Sequence, residues 1–428
     1  VYSCCGPVQQ LEALQFDYQT IPFSGNAATG YYSGYFWRDF QLGARPEADA
    51  LAPHFSGTPD WGSSYKLSGF AAIGHSFKWS KKGKRFTGGQ IPAIGAIWRG
   101  VKVYDPRLDS TYPGGAGTHR IDDEATWEYS ANPALHALAY AYGRYVNGVK
   151  VFGVDLGTSA IDLAQVVAWA NVCEANGWEV GGTIYEPGDK WNNLKRICEA
   201  GGAQPVMRGG VLGFDYQAPR TSLGTIGIDD LADGTVTARV SRGWKDRVNT
   251  LVPRYRSEAH QWNYVQSTAV TRTDFLDADG EEKSDERQWD LVQDKDQVAQ
   301  LATYDLFQRR EAGPIVFTCK PHMRAYEPGD CLTLEAAIGA HPDGALKVVI
   351  RRRTVDPVTG VVSFEAEGET DAKHPIALTA LGSAPATITL PTAEEIDTVT
   401  GNNEPGFTLT FDTTDYRFDT TEITWDQT

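Results

Sequence analysis

Glycine and proline interrupt this chain from end to end, with 44 glycines and 22 prolines among 428 residues. Glycine opens backbone conformations closed to other residues, and proline removes an N–H that helices and central strands need. Such a chain is expected to fold as many short strands joined by turns and loops. Residues 1–125 fit that expectation. Aromatic and β-branched runs at Tyr31–Trp37, Tyr65–Trp79 and Gly95–Tyr104 read as strands. Ser56–Asp60, Lys81–Gly89 and Asp105–Gly117 separate them, and Pro113-Gly114-Gly115-Ala116-Gly117 reads as a surface loop.

The pattern changes near Trp127. Asn132-Pro133 predicts a capped helix start, with the helix running to about Tyr145 and closing at Asn147-Gly148. A second helix is expected over Ser159–Asn176, with Ile161, Val166, Trp169 and Cys173 as its apolar stripe and Gly177 as its stop. A third starts at the cap Asp189, carries Trp191, Leu194, Ile197 and Cys198 on one face, and ends at Gly201-Gly202. With strands near Pro205–Met207 and Val211–Tyr216, residues 126–225 form an α+β block.

From about 226 the chain is strand-rich again, through Thr235–Val240, Val248–Arg256 and Trp262–Val270. One helix from Asp294 or Lys295 to Glu311 interrupts it. Strands follow at Ile315–Lys320, Asp330–Glu335, Ala345–Arg353 and Val361–Glu367, the last two joined by a turn at Asp356–Gly360. Residues 226–375 therefore read as a barrel or sandwich with one covering helix. Residues 376–428 open as an Ala/Thr/Leu/Pro-rich linker. Between 392 and 428 they hold nine acids against one base, Arg417. Phe411-Asp412-Thr413-Thr414 recurs at Phe418-Asp419-Thr420-Thr421, which suggests an extended strand that joins another chain or a missing domain.

Composition narrows the function classes. At roughly 100–200 residues per domain, 428 residues suggest two to four domains. Each could bury its own core without a disulfide or metal. Lys and Arg number 39 against 55 Asp and Glu, a net charge of −16. A surface that grips phosphates or anionic lipid heads must be positive, so neither nucleic-acid nor lipid-surface binding is expected. No stretch approaches the ~18 consecutive apolar residues of a membrane helix. Val1–Pro7 lacks the basic and apolar regions of a signal peptide. The six cysteines, Cys4, Cys5, Cys173, Cys198, Cys319 and Cys331, show no CxxC spacing and are expected as free or buried thiols in a reducing cytoplasm.

No catalytic signature emerges: no GxSxG elbow, HExxH, P-loop or dinucleotide fingerprint is present, and the eight histidines are scattered singly. No cofactor or metal is expected. Asp277-Ala278-Asp279-Gly280 with Glu286 matches part of a calcium loop, but Phe275 holds the first ligand position, so an acidic turn is expected. Asp122-Asp123-Glu124 and Glu281-Glu282 are the densest acidic clusters, and a glycosidase pair among them stays an open alternative. Twelve tryptophans could line a sugar groove or fill cores and subunit contacts. Lys81-Lys82-Gly83-Lys84-Arg85 is a basic loop in an acidic chain, suited to docking on an acidic partner. Arg351-Arg352-Arg353 is expected to pair with Glu365 and Glu367 across a hairpin.

An ordered series of short motifs adds to this. Gly100-Val101-Lys102-Val103-Tyr104-Asp105-Pro106-Arg107 leads to Trp127 and Asn132-Pro133-Ala134-Leu135. Trp191-Asn192-Asn193-Leu194 is followed by Cys198-Glu199-Ala200, Pro205-Val206 and Gly209-Gly210. Trp244-Lys245-Asp246-Arg247-Val248-Asn249, Tyr326-Glu327-Pro328-Gly329-Asp330 and the turn from Asp356 to Val362 complete it. In this series, which covers about residues 1–375, the chain resembles the tail-tip hub (host-specificity, or tip attachment protein J-like) proteins of long non-contractile siphophage tails. It also resembles the related hub of gene transfer agents.

The resemblance implies a non-enzymatic virion protein, assembled in the host cytoplasm and placed at the distal end of the tail. It implies a homotrimer in which two β-barrel-like domains per chain form a pseudo-sixfold ring, with an α+β domain outside it and a C-terminal segment beyond. Expected partners are the distal tail protein ring, other tail-tip proteins, the tape measure protein and a host surface receptor. The hub would close the tube until DNA ejection, and a charge of −16 suits a lumen that DNA crosses without sticking. The expected contact residues are Lys81, Lys82, Lys84, Arg85, Pro113, Gly114, Phe411, Phe418 and Trp425. A cell-envelope glycan-binding protein or polysaccharide hydrolase is the alternative, and a secreted adhesin a third.

Overall fold

The computed structural model describes residues 2–79, 85–86, 91–146, 148–185, 188–238, 243–339, 344–387 and 389–396. It mixes strands and helices in several units, each with its own sheet or apolar cluster.

The N-terminal strands make two antiparallel sheets. One runs in the order Tyr2–Cys5, Phe70–Phe77, Phe36–Leu42, Ala27–Ala28, Phe23–Ser24. The other runs Gln19–Thr20, Val8–Phe16, Ile94–Val103, Glu128–Tyr129. Leu14 and Phe16 of the second sheet meet Phe36 and Ile73 of the first, and Phe86 closes the cluster. Phe16 lies at its centre, 4.7 Å from the Phe36 ring and 5.0 Å edge-on to Tyr32. Val8–Phe16 has only one β-branched residue, yet alternation puts Val8, Leu14 and Phe16 inside. Burial against the facing sheet outweighs its weak strand propensity.

Three helices build the middle of the molecule: α1 (Pro133–Tyr142), α2 (Leu163–Asn176) and α3 (Lys190–Ala200). The Asn132 side chain caps α1 by accepting from Ala134 N at 3.0 Å and donates to Ala170 O at 2.8 Å. α1 is apolar on most of its surface and is accordingly enclosed, packing against both α2 and α3. It ends at Tyr142, earlier than its sequence suggests, because Gly143 turns with φ +97° and Arg144–Val146 pairs with Val149–Phe152. α2 starts later than expected, at its cap Asp162, and ends on Gly177 with φ +66°. Its Trp169 stacks on Phe214 at 5.1 Å and donates to Gly201 O at 2.8 Å.

The same apolar cluster takes in residues far along the chain. Thr250–Ser257 pairs in parallel with Ser284–Trp289 and antiparallel with Asn263–Gln266 and Val270–Thr271. A short helix, α4 (Thr273–Asp279), spans the gap, and α5 (Lys295–Gln308) follows. The side chains of Leu251, Trp289, Val298, Leu301 and Tyr304 join those of Trp169 and Trp178. Gln297, buried on α5, fastens this joint by bonding Glu179 N and O and Ala200 O. The helix expected as a cover of the later barrel thus packs into the central core. Its buried face meets Trp178 and the Thr250–Ser257 strand.

The third unit is a six-stranded sheet in the order Thr225–Ile226, Cys331–Leu334, Leu346–Val355, Val362–Gly368, Ile315–Cys319, Leu231–Ala238. Its two edge strands are joined by Gly227–Asp230 alone, so the sheet curls until it nearly closes as a barrel. Phe317, Phe364, Leu332, Val348 and Ile350 fill it. A short helix, α6 (Ala336–Gly339), follows the Cys331–Leu334 strand. The expected hairpin turn is present: Gly360, at φ +73°, donates to Asp356 O at 2.8 Å.

The last helix, α7 (Lys373–Leu378), lies against α5. From it a strap runs back over the molecule. Gly382 N donates to Asp296 Oδ1 at 2.8 Å, His260 Nε2 donates to Pro385 O at 3.2 Å, and Gln19 Nε2 donates to Leu390 O at 3.3 Å. The strap therefore ties the central unit to the N-terminal sheets.

A candidate interface cleft and its charged surroundings

The N-terminal sheet, α1, the Arg144–Phe152 hairpin, the 179–185 loop and the strand-turn-strand segment 256–264 leave an open cleft of 1560 Å³ between them. That exceeds the roughly 300–1,000 Å³ of small-molecule pockets. All of Ile94–Val101 lines it. These residues pair with Val8–Phe16 on one side, whereas the Glu128–Tyr129 strand on the other side reaches only Lys102 and Val103. Among the described residues, the Ile94–Val101 edge therefore has no strand partner. Ile94, Tyr129, Val151 and Tyr185 are exposed apolar or aromatic side chains around it.

Several charges in the cleft have local partners. Arg99 meets Glu12 at 2.9 Å, Arg196 meets Asp290 at 2.7 Å, and Tyr264 donates to Asp290 at 2.9 Å. His136, half-buried on α1, donates from Nε2 to Ser130 O at 2.7 Å. Burial, with Arg144 nearby, lowers its pKa to about 4, so the ring is neutral at pH 7.

Of the residues expected as contacts, Arg85, Pro113 and Gly114 are described. Arg85 stacks its guanidinium 4.1 Å from the Tyr31 ring centroid, next to the buried Phe86. Pro113 and Gly114 are exposed at the tip of a loop with a rigid base. There Asp109 accepts from Tyr104 at 2.7 Å, from Thr111 and from Arg120 at 2.9 Å. Burial would raise the Asp109 pKa, but these bonds outweigh it and hold the carboxylate below its usual range. Arg85 and the loop tip lie on separate segments and are not brought together by any contact described. Lys81, Lys82, Lys84, Phe411, Phe418 and Trp425 lie outside the described residues.

The acidic clusters have structural partners. Glu124 binds Arg45 at 2.8 Å and Arg144 at 3.4 Å, and Asp123 caps Ala125 N. The partial calcium-loop match is the end of α4, closed by Gly280 at φ +70°. Asp279 is fully buried and accepts from Arg310 at 2.7 Å, Arg247 at 3.2 Å and Asn249 at 3.2 Å. Burial raises its pKa and these donors overcome that, leaving it below the usual carboxylate range. Two guanidiniums occupy the position a cation would need. Among the described residues, no group of three or more His, Cys, Asp or Glu is placed to hold a metal.

Arg351 pairs with Glu367 at 3.0 Å as expected, and also with Asp215, which Arg220 shares. A second buried cluster has no sequence signal. Lys373 on α7 meets Glu369 at 2.8 Å and Glu311 at 3.9 Å, with His374 beside Glu369 at 3.5 Å. Burial would raise the Glu369 pKa, but His374 and Lys373 pull it down to about 2. Cys173, Cys198, Cys319 and Cys331 are free, buried thiols, and burial pushes all four upward, Cys319 to about 12. No helix among the described residues is long and apolar enough to cross a membrane.

Residues 190–350 match the model of a family described as "Putative phage tail protein". That stretch includes α3, the parallel strand pair, α5 and most of the barrel. No curated protein matches the sequence. Among solved structures, a chain of the virion of a native gene transfer agent particle is 15% identical. The match covers 87% of this chain and 77% of that one, with a TM-score of 0.49. A tail protein from Neisseria meningitidis MC58 is 14% identical over 46% of this chain and 61% of its own length, with a TM-score of 0.33. A 43 kDa tail protein of prophage MuSo2 from Shewanella oneidensis is 11% identical over 48% and 65%, with a TM-score of 0.31.

Proposed function

We propose that this chain is a structural subunit of a phage-type tail, and that it acts as a trimeric hub at the distal end of the tail tube. The match of residues 190–350 to a family of phage tail proteins is the observation that carries the reading. In this role the strand-rich parts of 1–125 and 226–375, the latter interrupted by residues 250–308, form a ring that mates with the distal tail protein ring. The 126–225 block lies outside it and shares its core with residues 250–308. Other tail-tip proteins and the tape measure protein are its further neighbours, and the assembly closes the tube until DNA leaves. Host contact belongs to this chain or to the proteins it carries.

A non-enzymatic role accords with how the acids are used. Asp279, Asp215 and Glu369 are each held by arginine or lysine below the usual carboxylate range, and Glu311, which burial raises, is tied to Lys373 and Thr370. Lys81, Lys82, Lys84, Arg85, Pro113 and Gly114 are the contact residues assigned to neighbouring subunits. The test is to mix purified chain with tail tubes and image the tube ends. Replacing Lys81, Lys82 and Lys84 with glutamate is expected to abolish tube capping while leaving the chain folded. Capping unaffected by that change would remove the basic loop from the interface.

A further inference from the structure

We infer that the open edge Ile94–Val101 receives an added strand, and that the strand comes from residues 401–428 of the same chain. Eight consecutive residues of a strand present an edge without a strand partner among the described residues, and all of them line the cleft. A bare edge of that length carries backbone donors and acceptors that an extended segment can satisfy. The cleft is too large and too open for a compact small ligand, but an extended peptide suits it.

The strap supplies the occupant. Its Leu390 carbonyl is bonded to Gln19, two strands from the open edge. On that sheet Gln15 lies opposite Gly95 and Phe16 opposite Ile94, so the strap arrives at the Ile94 end of the edge. Gln15, Tyr18, Glu258 and Trp262 line both the strap's own contact and the cleft, which makes the two continuous. From Ile396 to Phe407 there are eleven residues, an extended reach of about 36 Å. Beyond that point Phe407, Leu409 and Phe411 alternate with Thr408 and Thr410. Such alternation suits a strand with one face on the cleft wall, beside Tyr129 and Val151, and one face in water.

The proposal stands apart from the tail reading, since it concerns the isolated chain. Amide hydrogen exchange on the full chain tests it. The Ile94–Val101 amides that do not point at Val8–Phe16 are expected to exchange slowly. In a Phe407→Asp, Phe411→Asp double variant they should speed up by about tenfold or more, with the barrel strands Ile315–Cys319 and Val362–Gly368 unchanged as the control for folding. Exchange at the edge that is fast in both chains, or equally slow in both, overturns the inference. So does protection that disappears on dilution, which would assign the strand to a second copy.

Discussion

At Asp279 a carboxylate is completely buried, and it stays charged because Arg310, Arg247 and Asn249 surround it. Removing the acid would strand two guanidiniums against the end of α4. Asp279→Ala is therefore expected to cost about 3–5 kcal/mol, the scale for breaking a buried pair from one side. Urea unfolding would show it, and a loss near zero would mean the arginines find water instead. His136 provides a second residue-scale test. Its folded pKa of about 4 lies below the ordinary 6.5, so the folded chain excludes the proton that the unfolded chain accepts. The His136 contribution is complete above pH 6.5 and is lost as pH falls from 6.5 toward 4. His136→Gln keeps a donor for Ser130 O and is expected to flatten the fall in stability between pH 7 and pH 5, which denaturant midpoints at the two pH values would measure.

Among the elements, Gly382 decides whether the strap can lie where it does. A side chain there would collide with Lys295 O and crowd Ser267 Oγ. Gly382→Ala is expected to lift residues 379–392 and to speed protease cleavage there several-fold, while the core stays intact. Cleavage at the wild-type rate would show that the strap is not held at this point. The helices with capping residues were legible in the sequence: Asn132, Asp162, Asp189 and Asp294 each accept a backbone N–H at a helix start. Boundaries slipped where a glycine acted early, as at Gly143. The Val8–Phe16 and Ser284–Trp289 strands were not legible. Their Gln, Glu, Asp and Leu residues have little strand preference, and pairing with distant strands holds them in place. α4 was hidden because a short acidic run before glycine reads equally well as a turn. The edge of Ile94–Val101 was equally hidden: the strand is plain in sequence, but which side goes unpaired depends on where Glu128–Tyr129 stops.

For the molecule as a whole, the strand-rich and α+β blocks are visible in sequence, but the core does not respect their order. Leu251, Trp289 and α5 lie with Trp169 and Trp178, more than seventy residues earlier in the chain. Contacts of that kind leave no local pattern, because apolar periodicity tells which face is buried and not against what. The strap adds a second long-range tie, from α7 back to Gln19. In the proposed hub, a net charge of −16 suits a lumen that DNA crosses without sticking. The most direct test of the hub role is light scattering of the purified chain, paired with negative-stain images of the chain mixed with tail tubes. The account predicts a trimer, or a monomer that caps tube ends in threefold particles. A stable monomer that ignores the tubes would contradict it.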